Sequence, residues 1–273
     1  MNDNKLSHNE SNVEKAFSRQ SSVFDTIYSP NKIIQYKRKR VRDHVIQWIA
    51  PGSEILELNA GTGEDAVWFA QNGFSVHATD ISVGMQEKLV EKIKMKHLDS
   101  QVSYELCSFN SLDKLNRKGP YDLIFSNFAG LNCTGNLSRV LQSFDPLLKP
   151  GGVVTLVLLP KFCLWEFLLV FKGKFKTAFR RFNSKKGVKA HIEGTYFTCW
   201  YYNPSFVIDV MSKDYKLLGL EALCTLVPPS YFEKFPNKRK SLYNWLIKKE
   251  NALKHKWPWK SIGDYYIISF KKK

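Results

Sequence analysis

The chain has 273 residues, 44% of them hydrophobic and 24% charged, which suits one globular domain with insertions and excludes disordered, collagen-like and fibrous chains. Its net charge of +16 is lopsided, because residues 161–273 hold 23 Lys and Arg against 8 Asp and Glu. A C-terminal part so basic is expected to meet anions: phospholipid head groups, nucleic acid or an acidic substrate.

Residues 1–22 are polar and read as a flexible N-terminal tail, which leaves 23–273 as one domain. Ile33, Ile34, Val41, Val45, Ile46 and Ile49 recur near helical spacing and predict a helix over 32–49, broken at Pro51-Gly52. A strand is expected over 54–58, then the turn Asn59-Ala60-Gly61-Thr62-Gly63, then a helix over 64–71 closed by Asn72-Gly73. The next strand runs from Phe74 to Asp80, and Ser82 caps a helix reaching about Met95. Strands over 102–107 and 121–126 follow, then a helix over 137–148 and a strand over 153–159. This strand–helix rhythm predicts an α/β fold with an open, mostly parallel sheet.

From Pro160 to about Tyr202 the rhythm breaks. Phe171, Phe175, Phe179 and Phe182 fall on one helical stripe, interleaved with Lys172, Lys174, Lys176, Arg180 and Arg181. The segment is expected to be a helical lid, and a basic aromatic helix of this kind suits peripheral contact with an anionic membrane. The rhythm resumes with a helix over 204–212, a strand over 216–226, Lys-rich helical segments over 230–254 and a last strand over 265–270.

The five cysteines are scattered without a CxxC pair, so neither a disulfide framework nor a zinc site is expected. Val153–Phe171, the best apolar run, is interrupted by Pro160, Lys161 and Glu166. No uninterrupted apolar stretch reaches the roughly 18–20 residues a membrane helix needs. The polar N-terminus has no apolar signal core, so a cytoplasmic protein is expected, with peripheral membrane contact as a variant of that.

The informative segment joins a strand to a helix through glycines. Gly61 and Gly63 would allow a ligand close to the backbone, and Asp80, about twenty residues on, ends the next strand where a carboxylate can accept ribose hydroxyls. A dinucleotide loop wants GxGxxG and a phosphate at the helix tip. Here Glu64-Asp65 stand at that tip and would repel phosphate, so a cationic nucleoside such as S-adenosylmethionine fits better than NAD.

Four segments in order resemble the class I S-adenosylmethionine-dependent methyltransferases. Glu57 to Gly63 is similar to the family's acidic, glycine-rich loop. Asp80-Ile81-Ser82 with Met85 is similar to its ribose-holding motif. Tyr121–Phe128 resembles its fourth-strand motif, and Leu148-Lys149-Pro150-Gly151-Gly152 the turn before strand five. The flavour is that of the small-molecule branch, the ubiquinone, menaquinone and biotin-pathway methyltransferases, whose entry segment Phe24-Asp25-x-x-Tyr28 also resembles. The resemblance implies a Rossmann-like, mostly parallel seven-stranded sheet with helices on both faces and a helical lid insertion after strand five. It also implies a cofactor site of Tyr28, Glu57, Asn59, Ala60, Gly61, Gly63, Asp80, Ile81, Met85, Ser108, Phe109, Asn127 and Phe128. Asn59 departs from the usual first glycine, and Ser108-Phe109 stand where relatives place an adenine-binding Asp.

Asn132, Trp165, His191, Tyr201 and Tyr231 are the substrate-side candidates. The reaction expected is in-line displacement at the sulfonium methyl, for which positioning and desolvation suffice and no catalytic base is named. The aromatic lid favours a small, lipophilic or aromatic acceptor. An RNA methyltransferase using the basic C-terminal part, and a non-catalytic S-adenosylmethionine-binding protein, are the alternatives.

Overall fold

The computed structural model describes residues 6–182 and 186–273. Its centre is a seven-stranded sheet built from β1 (Glu54–Leu58), β2 (Ser75–Asp80), β3 (Val102–Leu106), β4 (Tyr121–Ser126), β5 (Leu148–Leu158), β8 (Tyr215–Leu223) and β9 (Tyr265–Lys272). The spatial order is β3-β2-β1-β4-β5-β9-β8. The first five strands are mutually parallel, and β9 runs antiparallel between β5 and β8.

Both sheet faces are covered, so the central strands are nearly continuous apolar runs whose side chains alternate between two cores. Leu56, Leu58 and Ile124 pack on one face with α5 (Leu137–Gln142) and α8 (Pro204–Met211). Ile55, Leu123 and Phe125 pack on the other with α2 (Lys32–Val45), α3 (Glu64–Gln71) and α4 (Val83–Met95). α2 ends before the expected boundary of Ile49, and α5 stops at Gln142 because Pro146 belongs to a separate 3-10 turn. The chain reverses direction in the strand order between β1 and β4, which opens a crevice at their C-terminal ends.

The N-terminal reading needs correction. Residues 1–5 of the expected tail lie outside the described residues, but His8–Tyr28 form a 21-residue helix, α1. A capping box starts it: the Ser7 side chain accepts from Glu10 N while Glu10 accepts from Ser7 N. α1 crosses the start of α4 at Gly84, where an added Cβ would stand 2.7 Å from Ser21 Oγ and 2.8 Å from Ser18 O. Ser18 Oγ lies 2.8 Å from Ser82 Oγ, so the two helices meet through small polar groups.

The insertion after β5 also differs from the single amphipathic helix expected. It contains α6 (Leu164–Phe167), a 3-10 turn over Leu168–Lys172, α7 (Phe175–Phe179) and a hairpin of β6 (Val188–Ile192) and β7 (Thr195–Cys199). Gly173, at φ 71°, ends the 3-10 turn and breaks the aromatic stripe in two. Phe171 is 83% exposed, and Phe175, Phe179 and Phe182 are also exposed. β6 and β7 pack against α1 through Phe17, Ile192 and Phe197. α9 (Phe235–Lys238) and α10 (Lys240–Leu253) lead into β9. Among the described residues no helix is long and apolar enough to cross a membrane.

Candidate cofactor and acceptor site

The crevice above β1, β2 and β4 is a cavity of about 370 Å³ roofed by α1. Its first wall is the loop after β1. Asn59 has φ 48°, a left-handed conformation Asn tolerates better than most side chains. Its Nδ2 donates to Asn127 O at 2.9 Å and its Oδ1 accepts from Ser126 Oγ at 2.6 Å. The side chain lies against Gly130, where a Cβ would come within 2.2 Å of Asn59 Cγ. Asn59 therefore ties the β1 loop to the β4 loop, a link that a glycine could not make.

Gly61 has φ 57°, and nothing within 4 Å would meet a Cβ there, so its backbone faces open space. Gly63 does not line the cavity; a Cβ there would stand 2.1 Å from Leu89 Cδ1, and its role is to let α3 close on α4. Asp25 of α1 accepts from Thr62 Oγ1 at 2.7 Å and pairs with Lys92 at 2.7 Å, which fastens the roof to the loop.

Glu57, Asp65 and Asp80 are the buried carboxylates on the lining, and among the described residues Glu57 and Asp80 are the two of these with no ion pair. Asp80 Oδ1 accepts from Ser82 N and Oδ2 from Gly61 N, both at 2.8 Å, so each oxygen keeps one further lone pair for a ligand. Burial raises its carboxyl, and the donors of Ser82, Gly61 and Ile81 oppose that rise. Glu57 is 3% exposed, and its Oε2 has no hydrogen-bond partner among the described residues. Burial, then the nearby Asp65 charge, push its carboxyl well above the ordinary range. Asp65 itself is held by Arg42 and by Asn127 Nδ2, each at 2.7 Å. A buried acid with an unsatisfied oxygen on a cavity wall calls for a cation or donor in the cavity.

Of the residues expected from sequence, Tyr28, Glu57, Asn59, Ala60, Gly61, Asp80, Ile81, Met85, Phe109, Asn127 and Phe128 are brought together on this lining. Ser108 is not among them: its hydroxyl donates to Glu10 and accepts from Asn110 N, so it serves α1 instead. None of the substrate-side candidates reaches the lining. Asn132 is fully buried, with Nδ2 on Trp200 O at 2.6 Å and Oδ1 on Leu159 N at 3.0 Å, and braces the loops. Trp165 packs on Phe232, His191 on Tyr196, Tyr201 under the Arg181 guanidinium, and Tyr231 against Phe232.

The structure adds residues that sequence reasoning left out. Val13, Phe17 and Gln20 hang from α1 beside Phe24 of the entry segment already noted, and Ile34, Lys37 and Arg38 project from α2. Ser230 and Tyr265 complete the far wall; the segment from Asp264 to Tyr266 reads from sequence mainly as a strand start.

Residues 55–152 match the profile of the family described as a methyltransferase domain. An uncharacterized methyltransferase of Synechocystis sp. is 29% identical over 133 residues, 47% of this chain and 59% of that protein. The chain thus spans about three fifths of the length of that curated relative. Residues 55–152 are a methyltransferase domain of the class I, S-adenosylmethionine-dependent fold. Among solved structures, the [4+2]-cyclase SpnF superposes with a TM-score of 0.62 at 13% identity, covering 96% of each chain. The 1,6-didemethyltoxoflavin-N1-methyltransferase of Burkholderia thailandensis superposes with a TM-score of 0.58 at 12% identity, covering all of this chain and 93% of that one.

S-adenosylmethionine is the cofactor of this domain class, and the residues present fit it. The methyltransferase domain places Glu64 and Asp65 at the tip of α3, which disfavours phosphate, and offers Glu57 and Asp80 to a ligand with donors and positive charge. Ile81, Met85, Cys107 and Phe109 form an apolar slot beside Asp80, suited to a purine ring.

Proposed function

We propose that the chain transfers the methyl group of S-adenosylmethionine to a small, lipophilic or aromatic acceptor. The observation that carries this reading is the cavity itself. It joins Glu57 and Asp80 of the cofactor wall to an aromatic and aliphatic wall of Phe17, Phe24, Ile34, Phe128 and Tyr265. When bound, S-adenosylmethionine supplies an electrophilic methyl on a sulfonium whose leaving group is a neutral thioether. Asp80 would hold the ribose hydroxyls, Glu57 a cationic or donor group, and the backbone at Gly61 the close approach of the chain between them. Ile81, Met85 and Phe109 would hold the purine. Tyr28, Phe24 and Phe17 of α1 exclude water from above, and Phe128 and Tyr265 orient an acceptor from below. Positioning and desolvation of this kind supply much of what a displacement at a good leaving group needs.

The first test is calorimetric titration with S-adenosylhomocysteine, with NAD as control. Micromolar binding of the former alone is expected; no binding, or binding of NAD, refutes the reading. The exposed Phe171, Phe175, Phe179 and Phe182 with Lys172, Lys174 and Lys176 support peripheral contact with an anionic membrane, by which a lipophilic acceptor could be delivered. Sedimentation with phosphatidylglycerol vesicles, but not with phosphatidylcholine vesicles, is the corresponding expectation.

A further inference from the structure

Lys37 is an unusual component of the cavity wall. Its side chain is 1% exposed, and it reaches the cavity from the middle of α2. A buried ammonium needs close acceptors. Among the described residues the oxygens that reach it are Ser230 Oγ at 3.5 Å and Asp264 Oδ2 at 3.6 Å. Both are well beyond the roughly 2.7–2.9 Å of a charge-assisted hydrogen bond. Its other neighbours include the Cys224 thiol and two aromatic rings, with the ring centre of Tyr265 at 4.3 Å and that of Phe128 at 5.9 Å.

Asp264 is also engaged elsewhere. Its Oδ1 accepts from Arg181 at 2.6 Å, and Arg181 donates to Glu166, which receives Arg180 as well. Lys37, Arg180 and Arg181 thus face the two carboxylates of Asp264 and Glu166, and Lys37 is the cation of this cluster that lines the cavity. The cluster carries one positive charge in excess, next to an aromatic wall.

We infer that Lys37 is the anchor for an acidic group on the methyl acceptor, which makes the acceptor a lipophilic or aromatic carboxylic acid and not a neutral lipid. The inference rests on the methyl-transfer reading above. The carboxylate of the cofactor's methionine end is the other source of such an anion. Arg38 also lines the cavity; it pairs with Glu64 at 3.5 Å, and its buried Nε has no partner among the described residues, which leaves a donor of its own for that carboxylate.

The probes are 2-naphthoate and its neutral isostere 2-naphthamide, titrated into protein saturated with S-adenosylhomocysteine. The naphthoate is expected to bind at least tenfold more tightly than the amide. Lys37→Met should abolish that preference and Lys37→Arg should keep it. In a separate arm, S-adenosylhomocysteine is compared with 5′-methylthioadenosine, which lacks the carboxylate. Lys37→Met should leave the ratio of their affinities unchanged. Equal binding of the two naphthalenes to the wild-type protein, or no binding of the naphthoate, overturns the inference. So does a Lys37→Met loss confined to S-adenosylhomocysteine, which would give the lysine to the cofactor. If Lys37→Met does not fold by circular dichroism, the wild-type comparison and Lys37→Arg decide. Absence of S-adenosylhomocysteine binding in the wild type would refute the methyl-transfer reading instead, and the naphthalene pair without cofactor would still read Lys37.

Discussion

Glu57→Gln should separate what the fold needs from what the ligand needs. In the free protein the Glu57 carboxyl is buried, its Oε2 is unpartnered, and burial holds its pKa well above the ordinary 4.5. A group whose folded pKa is raised keeps its proton longer in the folded state than in the unfolded one. Stability is therefore unaffected below the unfolded value and declines as pH rises from there through the folded value. Gln keeps the shape and removes the charge. An unsatisfied buried polar group costs about 1–3 kcal/mol. With about 2–4 °C per kcal/mol for chains of this general size, the variant should melt several degrees above wild type at pH 8 and close to it at pH 5. Ligand binding should move the other way. A hydrogen bond to a charged group contributes about 1.5–3 kcal/mol, so S-adenosylhomocysteine should bind roughly 10- to 150-fold more weakly to Glu57→Gln. Wild-type affinity should rise with pH as Glu57 ionises, and the variant should lose that part of the dependence. Scanning calorimetry and titration across pH 5–8 read both. A variant that melts below wild type at every pH and binds S-adenosylhomocysteine unchanged refutes the assignment of an unpartnered, ligand-facing carboxylate.

Asp80→Ala removes the acceptor of Gly61 N and Ser82 N as well as the proposed acceptor of the ribose hydroxyls; titration with S-adenosylhomocysteine should show a loss of about 1–3 kcal/mol, and an unchanged affinity would exclude the site. Gly84→Val forces a side chain into Ser18 and Ser21, so α1 should detach at a cost of about 1–3 kcal/mol, read as faster amide exchange in residues 8–28 with the sheet still protected. Acid should destabilise through Glu221: burial alone would raise its carboxyl, but His44, Arg40 and Lys254 outweigh burial and hold it far below 4.5. Its stabilising contribution is then complete above the unfolded value and fades as pH falls below it. Measured against Glu221→Gln, the wild-type advantage in urea midpoint should be constant near neutrality and shrink under about pH 4.5. Glu221→Gln should lower the neutral-pH stability by about 3–5 kcal/mol, since it leaves Arg40 buried with one partner fewer.

What could be read in the sequence was local. Asp80 and the Asn59–Gly63 loop lie within a short strand–turn–helix–strand segment, and the mostly parallel sheet was legible in that rhythm, but the spatial order of the strands comes from the structure. Ser108 was misplaced because its hydroxyl is claimed by Glu10, 98 residues away, and no pattern near Ser108 announces that. The substrate-side candidates lie off the cavity lining, and for two of them the reason is the same: Asn132 and Tyr201 look like site groups by type, but distant partners consume their polar atoms or faces. α1 was missed because it buries little apolar surface, although Ser7 and Glu10 at capping-box spacing were a legible helix start. The Phe171–Phe182 periodicity was real, but it could not outweigh Gly173 in a left-handed conformation. Lys37 lay beyond local reading altogether, since Asp264 and Tyr265 meet it from the far end of the chain.

The docking of α1 bears on turnover. Its contacts with the body near the cavity include small hydroxyls and amides, Ser18 on Ser82, Asp25 on Thr62 and Asn9 on Cys133 O and Thr198 O, together with a modest apolar patch around Ala16 and Phe17. On the methyl-transfer reading, release of a spent nucleoside beneath this helix would require α1 to lift, which breaks these few polar contacts and the Asp25–Lys92 ion pair. The frequency of that opening would then set a ceiling on the number of cycles per second, so substitutions along α1 that never touch a reactant would act on the throughput of the protein.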